Sequence, residues 1–277
     1  MPDFPYFDLL IDQREHGGEL GQLWLDEVHW GYWEDPKTAD GTRTDYLAAM
    51  KQMNSLVLGA AGIAEGQRLL DVGCGFGGTI RQINAEHSGM HLTGLNIDPR
   101  QLAAARAQTT AANGNQIEWT QGDACAMPFA DNSFDRITAV ECAFHFPSRE
   151  RFLAEAARVL APGGYLMVSD IVPAMTFFAK TPFWVVVRRQ IAKSYGTVGS
   201  VPLRSYRALG RRAGLRVQTT RNIRKNTLPT YPVLIKCFRE QTSAEIQKTM
   251  IVGTQWMKWM SLLGLAQYRV YTFHKPV

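Results

Sequence analysis

Cysteine is scarce: Cys74, Cys125, Cys142 and Cys237 are the whole complement, with no C-x-x-C pair and no Cys/His cluster at zinc spacing. That excludes a disulfide framework and a structural zinc site as the devices holding the chain together, and no metal is expected. Long apolar runs are missing too. None reaches the roughly 20 residues needed to cross a bilayer, and Met1-Pro2-Asp3-Phe4-Pro5 lacks the basic-then-apolar layout of a signal peptide, so the default expectation is a cytoplasmic protein. The third absence is local. Between Ile171 and Arg239 there is no Asp or Glu, while Lys and Arg occur 14 times in a chain of net charge +5. Such a stretch reads as a solvated face, as a field for an anionic substrate, or as a peripheral contact with an anionic membrane, because Phe177, Phe178, Phe183 and Trp184 lie near Arg188, Arg189 and Lys193. No RNA-binding signature accompanies the charge, so nucleic acid is not indicated as a partner.

What is present is a chain of 277 residues, 45% hydrophobic, organised around Leu69-Leu70-Asp71-Val72-Gly73-Cys74-Gly75-Phe76-Gly77-Gly78-Thr79. The stretch reads as a buried strand (68–72), an abrupt glycine bend and the start of a helix (78–87). Strands and helices then alternate: strand 91–97, helix 99–112, strand 116–121, strand 136–140, helix 148–160 and strand 165–170. That alternation predicts a parallel sheet with helices on both faces, whose carboxyl edge binds nucleotide-like ligands. Gly73, Gly75 and Gly78 satisfy G-x-G-x-x-G, so a dinucleotide loop, and with it an NAD(P)-binding oxidoreductase, stays open on pattern alone. Asp71 argues the other way. A carboxylate beside the bend repels a pyrophosphate and suits a ligand carrying an ammonium group.

In these residues the chain resembles motif I of the class I S-adenosylmethionine-dependent methyltransferases. The resemblance implies a Rossmann-like α/β fold, a doubly wound, mostly parallel sheet with an antiparallel last strand, and S-adenosyl-L-methionine as cofactor, held at Asp71, Gly73, Cys74 and Gly75. Most such enzymes carry an acid for the ribose hydroxyls where this chain has Asn96, followed by Ile97; Asn96 can accept one bond and donate another, with Gln101 one helical turn on as a second contact. Asp98 is the alternative, although its place before Pro99 suits a helix N-cap. Gly122-Asp123-Ala124 resembles motif II, which implies that Asp123 reads the adenine amino group. Val159-Leu160-x-Pro-Gly-Gly, closing the 148–160 helix, is a further family feature.

The acceptor side is read from Val140-Glu141-Cys142-Ala143-Phe144-His145-Phe146-Pro147, at the carboxyl end of the fourth strand. The Asn/Asp-Pro-Pro-aromatic motif of base and amide methylation is absent, and Glu141 and His145 stand there instead. An imidazole titrates near neutral pH and can take a proton from an attacking hydroxyl, so His145 is the candidate base, with Asp170 orienting it or binding a substrate hydroxyl. Glu141 is expected at the cofactor; it becomes the base if carbon on a prenyl, terpenoid or polycyclic acceptor is methylated. Upstream, His29-Trp30-Gly31-Tyr32-Trp33 resembles the lid of the sugar O-methyltransferase of indolocarbazole biosynthesis, which places Tyr32 on the cofactor. The same cluster, with Val252-Gly253-Thr254-Gln255 and Tyr268 to Lys275, resembles the mycobacterial phthiotriol and phenolphthiotriol dimycocerosate methyltransferases. The resemblances imply O-methylation in natural-product or lipid biosynthesis, with a lipophilic small-molecule acceptor. Three segments are expected: a lid with helix 44–58 in 1–55, the cofactor core in 56–172, and a cap with the last strands in 173–277, including helices 176–193, 202–212 and 242–263 and strands 215–222 and 268–274.

Overall fold

The computed structural model describes residues 5–15, 23, 24, 27–60, 62–174, 181–196, 203–240 and 243–277. The first part of the expected 176–193 helix, with Phe177 and Phe178, lies outside the described residues. Seven strands form one sheet in the order β3-β2-β1-β4-β5-β7-β6. They are β1 (Arg68–Val72), β2 (His91–Asn96), β3 (Gln116–Gln121), β4 (Phe134–Val140), β5 (Leu160–Pro173), β6 (Arg216–Asn222) and β7 (Ala266–His274). The first five pair in parallel, and β7 runs antiparallel between β5 and β6, as expected of a doubly wound sheet with a reversed last strand.

The strand order follows from which residues are apolar on both faces. Along β1, Leu69 packs with Leu92, Ile80 and Ile83 on one face, and Leu70 and Val72 pack with Phe152, Leu153 and Ala156 on the other. A strand covered twice belongs at the centre of a parallel sheet. The helices are α1 (Pro5–Glu15), α2 (Arg43–Gly59), α3 (Gly78–Glu86), α4 (Pro99–Gln108), α5 (Arg149–Val159), α6 (Pro182–Tyr195), α7 (Leu203–Arg212), α8 (Thr230–Arg239) and α9 (Ala244–Leu262). Side-chain caps start several of them: Thr42 accepts from the Asp45 N–H, Asp98 from Arg100 and Ser148 from Arg151. α2 buries Tyr46, Met50, Met53 and Val57 in a core shared with Met167, Tyr268, Tyr231 and Phe238, so upstream, central and downstream segments share one interior.

Several boundaries differ from the sequence reading. α4 stops at Gln108 rather than near Ala112, because Asn84 takes over the backbone beyond the β-branched Thr109 and Thr110, accepting from Ala112 N–H and donating to Thr110 C=O. β5 begins at Leu160, not Tyr165. The Pro-Gly-Gly segment is extended because the end of β7 pairs with it, Gly163 N–H to Lys275 C=O and Lys275 N–H to Gly164 C=O. α1 and α8 have no counterpart in the sequence reading. No helix among the described residues is long and apolar enough to cross a membrane.

Candidate active site

The bend after β1 is built on backbone only glycine takes without strain: Gly73, Gly75 and Gly77 have φ of +70°, +52° and +83°. Close packing adds a second constraint, since a Cβ on Gly73 would sit 2.6 Å from Cys142 Cβ and one on Gly77 2.5 Å from the ring of Trp119. The N–H groups of Gly73 and Cys74 both reach Leu95 C=O, which ties the bend to the end of β2. Beside it opens a chamber. Its wall contains Asp71, Gly73, Cys74 and Gly75 from the first bend, Asn96, Ile97 and Gln101 from the end of β2, Gly122, Asp123 and Ala124 after β3, and Glu141 and His145 after β4.

Each segment is there for a local reason. Asn96 donates from Nδ2 to Gln101 Oε1 at 2.8 Å, so the two amides form one polar corner at the edge of β2. Asp98 is drawn away from it, capping α4 and pairing with Arg100 at 2.7 Å, which settles the N-cap alternative. Asp123 accepts from Cys125 N–H at 2.8 Å through Oδ1. Asp71 is buried and accepts from Thr138 Oγ1 at 2.6 Å; burial, with Glu27 adding to it, pushes its pKa up to about 7, against the opposing pull of the Thr138 hydroxyl and the His29 imidazole. A buried acid whose ionisation is held back by desolvation fits a ligand that brings a positive charge to it.

A second, apolar chamber adjoins the first, walled by Trp24, Trp30, Phe144, Ile171, Trp184, Ile191, Leu234, Met257 and Met260. Val28, His29, Glu141 and His145 line both chambers. His145 ends a short 3-10 turn, Ala143–His145, with its ring 4.3 Å from that of Phe144. Glu141 is held at φ +49°, a conformation rare outside glycine, by its N–H on Ser169; its Oε1 accepts from Trp30 N–H at 2.7 Å and from the Tyr268 hydroxyl. Burial raises the Glu141 pKa to about 7, with His29 and the two donors opposing. His29 is buried, and burial alone would lower its pKa. Glu27, 3.1 Å from Nε2, together with Glu141 outweighs that and brings it to about 9.

Two expected site residues are elsewhere. Tyr32 lines neither chamber; its hydroxyl donates to Glu34 and accepts from Arg221, while Trp33 donates to Asp45 and stacks on Tyr46. His29 and Trp30 are the members of that cluster that face the chambers. Asp170 is also displaced. Strand alternation puts it with Val168 on the face covered by α5 and α7, where Arg149 pairs with it at 2.7 Å and Tyr206 donates to it, all fully sealed. It therefore neither orients His145 nor meets a substrate. Residues passed over by the sequence reading are His29, visible only as the head of the aromatic cluster, and Phe7 and Leu10 of α1, which close over the first chamber. Among the described residues no group of three or more His, Cys, Asp or Glu side chains could hold a metal ion.

A parallel sheet reversed at its last strand, with a glycine bend next to a buried acid and polar corners after β2 and β3, defines a class I S-adenosylmethionine-dependent methyltransferase. The methyltransferase domain family matches residues 70–168. Methyltransferase GfsG of Streptomyces halstedii is 31% identical over 79% of this chain and 76% of its own length. The 27-O-demethylrifamycin SV methyltransferase of Amycolatopsis mediterranei is 32% identical over 82% of both. Among solved structures, the cyclopropane synthase MmaA2 from Mycobacterium tuberculosis superposes with a TM-score of 0.79 at 18% identity over 98% of this chain and 99% of that one. The chain belongs to this methyltransferase family, and its cofactor is S-adenosyl-L-methionine.

Proposed function

We propose that the protein transfers methyl to a hydroxyl of a lipophilic small molecule, a secondary metabolite or lipid, with His145 as general base. One observation carries the reading: His145 and Glu141 stand where the chamber beside the glycine bend, which carries the candidate cofactor residues, meets a chamber lined almost wholly by apolar side chains. Bound S-adenosylmethionine supplies an electrophilic methyl on its sulfonium. Asp71 takes the ammonium of the amino-acid tail, Asn96 and Gln101 the ribose hydroxyls, and Asp123, with the backbone of Gly122 and Ala124, the adenine. The tryptophans and methionines of the second chamber hold the acceptor by burying its surface and exclude water from the transfer. His145 takes the hydroxyl proton as oxygen attacks carbon. Positioning of oxygen in line with the methyl carbon and sulfur contributes roughly 7–11 kcal/mol, the larger share. The name of the rifamycin relative, an O-methyltransferase of a natural product, agrees with this reading. The segment 1–55 serves as lid, and 173–277 supplies the cap insertions together with the last helix and strands of the core.

A second reading rests on Glu141. A carboxyl raised to about 7 at the junction suits proton removal from carbon, so transfer to carbon would shift the base role there. The two separate by experiment. His145→Ala is expected to cut kcat by about 10²–10⁴ with affinity for S-adenosylhomocysteine unchanged. Equal loss of both would make His145 a binding residue. Product analysis with a labelled methyl donor then distinguishes oxygen from carbon as the acceptor atom.

A further inference from the structure

Apolar side chains exposed on this molecule are not scattered. Of the seven large ones exposed among the described residues, six, Phe183, Val185, Val186, Trp259, Leu262 and Leu263, belong to α6 or to the end of α9. The two helices lie antiparallel and close. Ser194 Oγ donates to Thr249 C=O at 2.8 Å, the Tyr195 and Thr254 hydroxyls meet at 2.5 Å, and at the other end Phe183 sits edge-on to Trp256, ring centroids 5.9 Å apart. The start of α6 therefore lies along the C-terminal half of α9, and these two stretches carry the six residues. Trp259 and Leu263 are 58% and 67% exposed, far more than a packed core tolerates.

The patch also has a charged border and an apolar interior behind it. Arg189 and Lys193 continue the exposed ridge of α6 that Val186 begins, with Arg188 alongside, in a stretch without a single acid. On their inner sides the same helices wall the apolar chamber through Trp184, Ile191, Met257 and Met260. Arg188 is exposed and lines that chamber, so the chamber opens beside the patch. We propose that the α6–α9 end is a docking surface for an anionic lipid bilayer, on which the protein rests while a lipophilic acceptor passes from the membrane into the apolar chamber. Trp259, Phe183, Leu262 and Leu263 enter the headgroup boundary, and Arg189 and Lys193 face lipid phosphates. A second copy of this chain is the poorer occupant, because a two-fold contact through the patch would bring the basic borders of both copies together.

The passage of acceptor rests on the apolar chamber being its site; the docking itself does not. The test is flotation with vesicles of phosphatidylcholine alone or mixed with phosphatidylglycerol. Wild type is expected to float with the anionic vesicles at low salt and to be released at high salt. Trp259→Ser with Leu263→Ser, and separately Arg189→Glu with Lys193→Glu, should lower partitioning roughly tenfold or more. Affinity for S-adenosylhomocysteine should be unchanged in both, which reports an intact fold. Equal flotation with neutral and anionic vesicles, no flotation, or variants that float like wild type would overturn the proposal. So would a dimer in light scattering that Trp259→Ser with Leu263→Ser converts to monomer, since the patch would then be an interface between copies. Vesicle binding without methyl transfer to any hydroxyl would fail the proposed function and leave the docking standing.

Discussion

In the proposed site, Asp71 is the residue on which cofactor recognition would turn. It is buried with one hydroxyl donor, and desolvation holds its carboxyl up to about 7 despite the opposing His29, so a ligand that brings an ammonium must find it ionised. The sign follows. Affinity for S-adenosylhomocysteine should be full above about pH 7 and fall as pH drops below it, while Asp71→Asn should bind with a flat profile in that range. The variant should also lose about 10–100-fold in affinity, the worth of a charge-assisted bond of roughly 1.5–3 kcal/mol. Calorimetric titration across pH measures both, and an unchanged profile in the Asn variant would move the ammonium site elsewhere. Trp119 shows the opposite kind of dependence. Its ring fills the space where Gly77 and Gly94 would carry Cβ atoms, so its part is to shape the bend rather than to touch the ligand.

At the scale of elements, the Arg149–Asp170–Tyr206 cluster joins α5, β5 and α7. Removing the acid leaves a guanidinium buried without its charge partner, which costs about 3–5 kcal/mol. Asp170→Asn is therefore expected to lower Tm clearly and leave kcat of the folded fraction near wild type; a large loss of kcat at unchanged Tm would return Asp170 to the catalytic role the sequence suggested. That role was misread because a carboxylate at a strand end looks the same whether the sheet turns it toward a ligand or toward a helix. Arg149 and Tyr206, 21 and 36 residues away, decide it. The core from β1 to β4 was legible for the reverse reason. Strands covered on both faces read as short apolar runs between glycine bends, and the candidate site residues sit at their ends, so order along the chain locates them. α8 was missed although Tyr231, Leu234, Ile235 and Phe238 recur at helical spacing opposite exposed Lys236 and Arg239, because Pro229 and Pro232 read as breakers at its start. In the aromatic cluster, the ring that faces the chamber depends on partners as distant as Arg221, 189 residues from Tyr32.

For the whole molecule, the two chambers impose an electrostatic cost that the cofactor is suited to relieve. Asp71 and Glu141 are raised to about 7 from 3.8 and 4.5 by burial, so the folded protein holds more protons than the unfolded chain between those values. Stability contributed by the neutral acids is then lost as pH rises from about 4 to about 7. His29 adds a second step in the same direction. Raised above its ordinary 6.5 to about 9 by Glu27 and Glu141 against burial, it contributes stability that is complete below 6.5 and lost as pH rises through about 9. The ligand-free protein should therefore show Tm declining with pH across both intervals, by roughly 2–4 °C for each kcal/mol in a chain of this size. S-adenosylhomocysteine should reduce the lower step by the share of Asp71 and leave the upper one, because its ammonium lets Asp71 ionise without penalty while nothing in it neutralises Glu27 beside His29. Melting curves from pH 4 to 9, with and without the ligand, check this, and Asp71→Asn should reduce that same step without ligand, the remainder belonging to Glu141. A ligand effect confined to the upper step would mean that the charge it brings is felt at His29 and Glu141, and that the acid beside the glycine bend is not where the amino-acid tail is held.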